Sequence, residues 1–310
     1  MTMRIAVVGA GAMGSLFGGK LSAVAEVTLL DPWAEHVAAM QRKGLSIVEL
    51  DGSQTTVPVT ATTDPAAVPT VDMALIFVKA HATRQASQWA SRFLAPDGLA
   101  LTLQNGVGNA DVMAEVLGSG RVVAGVTSHG ATLLGPGQVR HAGKGPTHIA
   151  TRPEIAVKLS DVATVFEQAG FEVHLSDDLE SLMWGKLIIN VGINGLTAIL
   201  RVPNGQLVEI PTANALMAQA VAEAEAVCQA KGVTLPYDDP LGRVQEVARA
   251  TAANRSSMLQ DVLRGVPTEI GVINEAIVRE GKRLAVSTLA NEFIVTTIRA
   301  IEDSYAVRVS

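Results

Sequence analysis

The chain has 310 residues, of which 48% are hydrophobic and 17% charged. This balance excludes a disordered polymer and allows well-buried cores in more than one domain. A net charge of −6 without any basic block argues against a nucleic-acid partner, and an anionic ligand must then be held by a few local cations rather than by an overall field. The single cysteine, Cys228, rules out an intrachain disulfide. It lies in an Ala-rich helical run and reads as a small buried apolar residue.

In chain order, the apolar run 5–8 leads into Gly9-Ala10-Gly11-Ala12-Met13-Gly14, then a helix-like stretch, then a second apolar run 27–30 ending at Asp31. Strand, G-x-G-x-x-G, helix, strand and acid stand in the order of a dinucleotide-binding fingerprint. Gly9 permits the tight turn, Gly11 lets the backbone approach a pyrophosphate, and Gly14 lets helix and strand pack closely. The helix start then offers N–H groups and a positive dipole end to phosphates. Asp31 is placed to accept hydrogen bonds from a ribose 2′-OH and would repel a 2′-phosphate, which favours NAD(H) over NADP(H). Arg4 followed by an uncharged run imitates a signal peptide, but the run is glycine-rich and Lys20 ends it before it could span a bilayer. The expectation is a soluble, cytoplasmic protein with no membrane partner.

Further on, residues 32–43 and 82–93 read as helices. Residues 45–59 read as a hairpin around Asp51-Gly52, and 71–78, 99–103 and 122–126 as buried strands. In the glycine-rich stretch 130–150, segments 139–141 and 147–150 are expected to pair as antiparallel edge strands. Residues 155–169 read as a helix and 171–175 as a last strand. From about 178 helical periodicity takes over, at 179–200, 212–231, 240–253, 267–285 and 288–305. The expected fold is α/β, with an N-terminal Rossmann doubly wound parallel sheet over 1–177 and a C-terminal all-helical domain over 178–310.

Three constellations could carry chemistry. Lys79 and Asn105 close two strands at the carboxyl end of the sheet, where this architecture binds ligands. A solvated strand-end cation and a plain turn residue are the simpler readings. Lys186, Asn190 and Asn194, spaced i, i+4, i+8, form one polar line on an otherwise apolar helix, and Asn204 follows in a Pro-Asn-Gly turn. Buried amine and amide groups need partners, which a ligand or a polar seam between domains would supply. Asn254 and Ser257 lie in a stretch resembling a helix N-terminus, good for a carboxylate and equally good for ordinary capping. The six histidines show no metal-ligand spacing, and no metal is expected.

Taken together, GAGAMG at 9–14, FVKA at 77–80, QNGVG at 104–108, TSHGA at 127–131, WGKLIINVGINGLTAI at 184–199, PNG at 203–205, NRSSMLQD at 254–261 and TEI at 268–270 resemble the ketopantoate reductase family. That family lies within the 6-phosphogluconate-dehydrogenase-like superfamily. The resemblance covers nearly the whole chain. It implies that Lys186 is the general acid and that Lys79, Asn105 and Ala131 line the cofactor. It further implies that Asn190, Asn194 and Asn204 hold the substrate's polar groups, that Asn254 and Ser257 lie near its carboxylate, and that Glu269 lies near cofactor and active site. In NADPH-using members of that family the second strand typically ends near an arginine that pairs with the 2′-phosphate, whereas here it ends in Asp31-Pro32-Trp33.

The expected function is reduction of a 2-oxo acid to an (R)-2-hydroxy acid, 2-dehydropantoate first. A D-mandelate-type dehydrogenase using NAD is the alternative enzyme. A dinucleotide sensor without chemistry is the alternative of another class. The sequence leaves the oligomeric state open, a homodimer included.

Overall fold

Ile5, Ala6, Val7 and Val8 have no exposed surface, as a strand covered on both faces requires. They belong to β1 (Arg4–Val8) in a computed structural model that describes residues 2–308. The chain divides into two packed units. One holds the residues up to 104 with 108–179, the other 105–107 with the residues from 180 onward.

In the first unit β1 is followed by β2 (Glu26–Leu30), β3 (Leu45–Val48), β4 (Gln54–Val57), β5 (Thr60–Thr62), β6 (Val71–Ile76), β7 (Leu94–Thr102), β8 (Val122–Thr127), β9 (Gly130–Gly135), β10 (Gln138–Gly143), β11 (Thr147–Ala150) and β12 (Val173–Ser176). Its helices are α1 (Ala12–Leu21), α2 (Ala34–Lys43), α3 (Thr83–Phe93), α4 (Asn109–Leu117) and α5 (Ala156–Gln168). Eight strands form one sheet in the order β12-β11-β8-β7-β6-β1-β2-β5. All its pairings are parallel except β11 with β8. The strand order reverses between β1 and β6, and a doubly wound sheet binds ligands at such a switch point. Strand alternation fills two cores. Ile5 and Val7 pack with Phe17 of α1 and Phe166 of α5, while Ala6 and Val8 pack with Phe93 of α3 and Met113 of α4.

A second sheet, β4-β3-β10-β9, contains the expected hairpin, with Gly52 at φ 84° in its turn. The expected pairing of 139–141 with 147–150 does not occur. β10 pairs with β9 and β3, whereas β11 joins the large sheet beside β8 and β12. The chain turns away between them because Pro146 has no N–H to continue a ladder. Its carbonyl accepts from Ser128 N at 2.9 Å, and Thr147 meets Thr127 hydroxyl to hydroxyl at 2.9 Å.

Buried and partly buried polar chains hold the small sheet to α1 and α2. Lys20 Nζ donates to Glu49 Oε1 at 2.5 Å, Glu49 Oε2 lies 3.0 Å from His141 Nδ1, and His141 Nε2 lies 3.0 Å from His129 Nδ1. Gly137 N donates to His36 Nδ1 at 2.9 Å. That leaves the proton of a neutral His36 on Nε2, which donates to Ser15 Oγ at 3.1 Å, and Ser15 in turn donates to Ala10 O at 2.7 Å.

From residue 180 onward every described element is helical: α6 (Leu179–Leu200), α7 (Gln206–Glu209), α8 (Pro211–Lys231), α9 (Pro240–Ala250), α10 (Ser257–Arg264), α11 (Asn274–Leu284) and α12 (Leu289–Asp303), with short 3₁₀ turns. α6 is long and apolar enough to cross a membrane, but 67% of that stretch is buried within the protein. Its glycines let neighbours approach. A Cβ on Gly192 would come 2.7 Å from Val244 Cγ1, and one on Gly195 2.4 Å from Ile294 Cγ2. The expected helix 267–285 is broken. Ile270–Val272 forms a 3₁₀ turn, and Ile273, at φ −110° and ψ −99°, separates it from α11.

Candidate active site

In the first unit the glycine turn is built by close contacts. Gly9 has φ 94°, and a Cβ there would meet Val78 N at 2.7 Å. Only glycine meets both demands, positive φ and bare backbone. A Cβ on Gly14 would sit 1.9 Å from Gly9 O, so α1 is drawn tightly against the turn. Gly11 differs: a Cβ there would meet nothing within 4 Å. Open space over Gly11 beside a packed turn is the cradle that a pyrophosphate needs. The first amide to bond back along α1 is that of Ser15, to Gly11 O at 2.8 Å. The amides of Ala12, Met13 and Gly14 therefore precede the helical ladder, as anion-binding N–H groups do.

Gly9 N donates to Leu30 O at 2.8 Å, which places Asp31 beside the turn. Asp31 Oδ1 accepts from Trp33 N at 2.9 Å, so the carboxylate is held in a fixed pose. Trp33 remains 39% exposed and stacks on His36. Lys79 follows the residue that touches Gly9 and is partly buried. Gln104, which sequence reading did not single out, orders this edge. Its Nε2 donates to Val78 O at 2.7 Å and to Thr83 Oγ1 at 2.9 Å. Ala131 lies on β9, paired with His141 and packed against the core that contains α1.

In the second unit Lys186, Asn190 and Asn194 all fall on the unbroken α6 and so share one line along it. Lys186 and Asn190 are partly buried and Asn194 is buried. Burial lowers the Lys186 pKa to about 8, and the Glu269 carboxylate acts in the opposite sense. Glu269 is itself 7% exposed and sits just before the Ile270–Val272 turn. The buried Nδ2 of Asn190 and the buried Oδ1 of Asn204 have no hydrogen-bond partner among the described residues.

The turn Asn105–Val107 packs in this unit, whereas the sequence reading placed it in the first. Val107 N donates to Val272 O at 3.3 Å, and Gly106 at φ 81° lies so close that a Cβ would be 2.3 Å from that oxygen. Asn105 is thereby brought to the turn that begins at Glu269. Asn204 N donates to Asn254 O at 3.0 Å, joining their two turns. Asn254 and Ser257 are exposed. The capping residue of α10 is Ser256, whose Oγ accepts from Leu259 N at 3.1 Å and meets Thr197 Oγ1 of α6 at 2.7 Å. Its hydroxyl serves architecture, and Ser257 is left on the outer side of the same turn.

The family model described as ketopantoate reductase PanE/ApbA matches residues 5–154, and that for the family's C-terminal part matches 178–302. A 2-dehydropantoate 2-reductase of Halobacterium salinarum is 37% identical over 90% of this chain and 92% of its own length. The crystal structure of a PanE/ApbA family ketopantoate reductase from Ralstonia eutropha is 36% identical with TM-score 0.91, covering 98% of this chain and all of that one. The ternary structure of D-mandelate dehydrogenase with NADH and anilino(oxo)acetate is 30% identical with TM-score 0.92, over 98% of this chain and all of that one.

Proposed function

The chain belongs to the ketopantoate reductase family, and from that premise we propose that it reduces 2-dehydropantoate to (R)-pantoate. It is an oxidoreductase that uses a nicotinamide dinucleotide. When bound, the reduced cofactor supplies hydride to the ketone carbon, and negative charge grows on the ketone oxygen.

The chain's own groups answer that charge. Lys186 as ammonium stabilises the oxygen and donates the proton that completes the hydroxyl. Glu269 keeps Lys186 charged against the cost of burial. Asn190 and Asn194 hold polar groups of the substrate along α6, and Asn204 adds an acceptor. Asn254 and Ser257 are assigned to the carboxylate. Gly9 to Gly14 carry the pyrophosphate, while Lys79, Asn105 and Ala131 line the dinucleotide. The observation that carries this reading is the placement of Lys186, partly buried and under the influence of the Glu269 carboxylate, on the helix where the buried Nδ2 of Asn190 has no partner among the described residues. An amine near neutrality can both hold a proton and release it.

For the cofactor we favour NADH. Asp31, fixed by Trp33 N, offers an acceptor to ribose hydroxyls and repels a phosphate. A second reading, an NADH-dependent D-2-hydroxyacid dehydrogenase acting on a bulkier substrate, is supported by the same aspartate and by the likeness to D-mandelate dehydrogenase. A steady-state screen of 2-oxo acids with both reduced cofactors separates them. The expected outcome is highest kcat/KM on 2-dehydropantoate, with a lower KM for NADH than for NADPH. Best turnover on benzoylformate favours the second reading, and equal or reversed cofactor preference refutes the role given to Asp31.

A further inference from the structure

Thr251 closes α9 and carries one hydroxyl between two partners. Thr251 Oγ1 donates to Val247 O at 2.7 Å and accepts from Asn204 Nδ2 at 2.9 Å. A hydroxyl has one proton, and here Val247 takes it. Toward Asn204 the hydroxyl can therefore only accept, which turns the amide so that its NH₂ faces Thr251 and its Oδ1 faces away. The Asn204 backbone is fixed independently, because Asn204 N donates to Asn254 O at 3.0 Å and Asn254 N donates to Thr251 O at 2.8 Å. Among the described residues no group donates to the buried Oδ1, and a buried acceptor left in that state is satisfied only by an incoming donor.

We propose that Thr251 is a positioning residue that holds Asn204 as a hydrogen-bond acceptor and thereby selects 2-oxo acids bearing a side-chain hydroxyl. This rests on the substrate reading above. The ketone and carboxylate oxygens of a 2-oxo acid only accept, and Lys186 and Asn190 offer protons to such oxygens. Asn204 Oδ1 has no use for them. It matches an O–H, and 2-dehydropantoate carries one on the carbon beyond its quaternary centre. A substrate with a methyl group in its place leaves the acceptor unpaired, and sites of this kind discriminate strongly against the lesser analogue.

The test compares 2-dehydropantoate with 3,3-dimethyl-2-oxobutanoate, which has the same carbon skeleton without the hydroxyl. The wild type is expected to favour the hydroxylated substrate in kcat/KM by at least about tenfold. Thr251→Val, which cannot accept from the amide, is expected to raise KM for 2-dehydropantoate about tenfold with kcat little changed, and to move the analogue's kcat/KM by less than about twofold. Thr251→Ser restores the preference, and KM for NADH stays constant throughout. Should Thr251→Val fail to fold, Thr251→Ala reads the same loss. Equal damage to both substrates, or a wild type that does not distinguish them, overturns the role of Thr251 while leaving the reductase reading intact. A wild type that turns over neither removes that reading, and this inference with it.

Discussion

At the scale of single residues the proposed reaction turns on Lys186. Lys186→Ala is expected to lower kcat for reduction by about 10²–10⁴, the range typical of losing a positioned acid, while the Kd for NADH measured by titration stays near the wild-type value. Retained turnover would show that the proton comes from elsewhere. Because burial brings the Lys186 pKa to about 8, the protonated donor is the majority species below that pH and is depleted above it. The kcat of reduction should therefore fall on the alkaline side of about pH 8. Glu269 acts to raise that pKa, so Glu269→Gln should move the alkaline limb to lower pH. A limb that stays in place in this variant would separate the two groups.

Among the elements, the junction of β1 and α1 makes the clearest demand. A methyl group at Gly14 would lie 1.9 Å from Gly9 O, whereas one at Gly11 would meet nothing. Gly14→Ala should destabilise the protein by about 1–3 kcal/mol through overpacking. Gly11→Ala should cost less than about 1 kcal/mol yet weaken NADH binding, because the methyl fills the open cradle. Urea unfolding and cofactor titration on the two variants check the contrast. This junction could be read in the sequence because each of its glycines answers a local steric requirement. The breaks that escaped reading depend on distant partners. Residues 139–141 and 147–150 looked like mates, but the contacts that send them to different sheets lie at Ser128, Thr127 and β3. The helix expected over 267–285 breaks at Ile273, whose backbone angles no composition announces. Lys186, Asn190, Asn194 and Glu269 were visible through spacing and resemblance. Gln104 and Thr251 were not, since an ordinary polar residue shows its importance only when its partners, 26 and 47 positions away, are known.

For the molecule as a whole, acid sensitivity follows from histidines held neutral in the interior. Burial, followed by the nearby His141, lowers the His129 pKa from 6.5 to about 4. Burial lowers that of His36 as well, against the pull of Asp31. Between those two values the unfolded chain binds a proton at His129 that the folded chain refuses, so stability is full above about pH 6.5 and is lost as pH falls toward 4. From pH 7 to 5 His129 alone should cost about 2 kcal/mol, seen as a lower urea midpoint. His129→Gln should flatten that dependence, and a variant as acid-sensitive as the wild type would place the cause in another group. The chain from Gly137 through His36 and Ser15 to Ala10 bears on how such a protein can diverge. Two hydrogen bonds link Ser15, His36 and the turn at Gly137, the second of them spanning 101 positions of sequence. A lineage that replaces His36 strands the Gly137 amide at one end and removes the bond that Ser15 accepts at the other in a single step, so those sites are free to drift only as a set, and the nucleotide turn is tied to a hairpin far away in the gene.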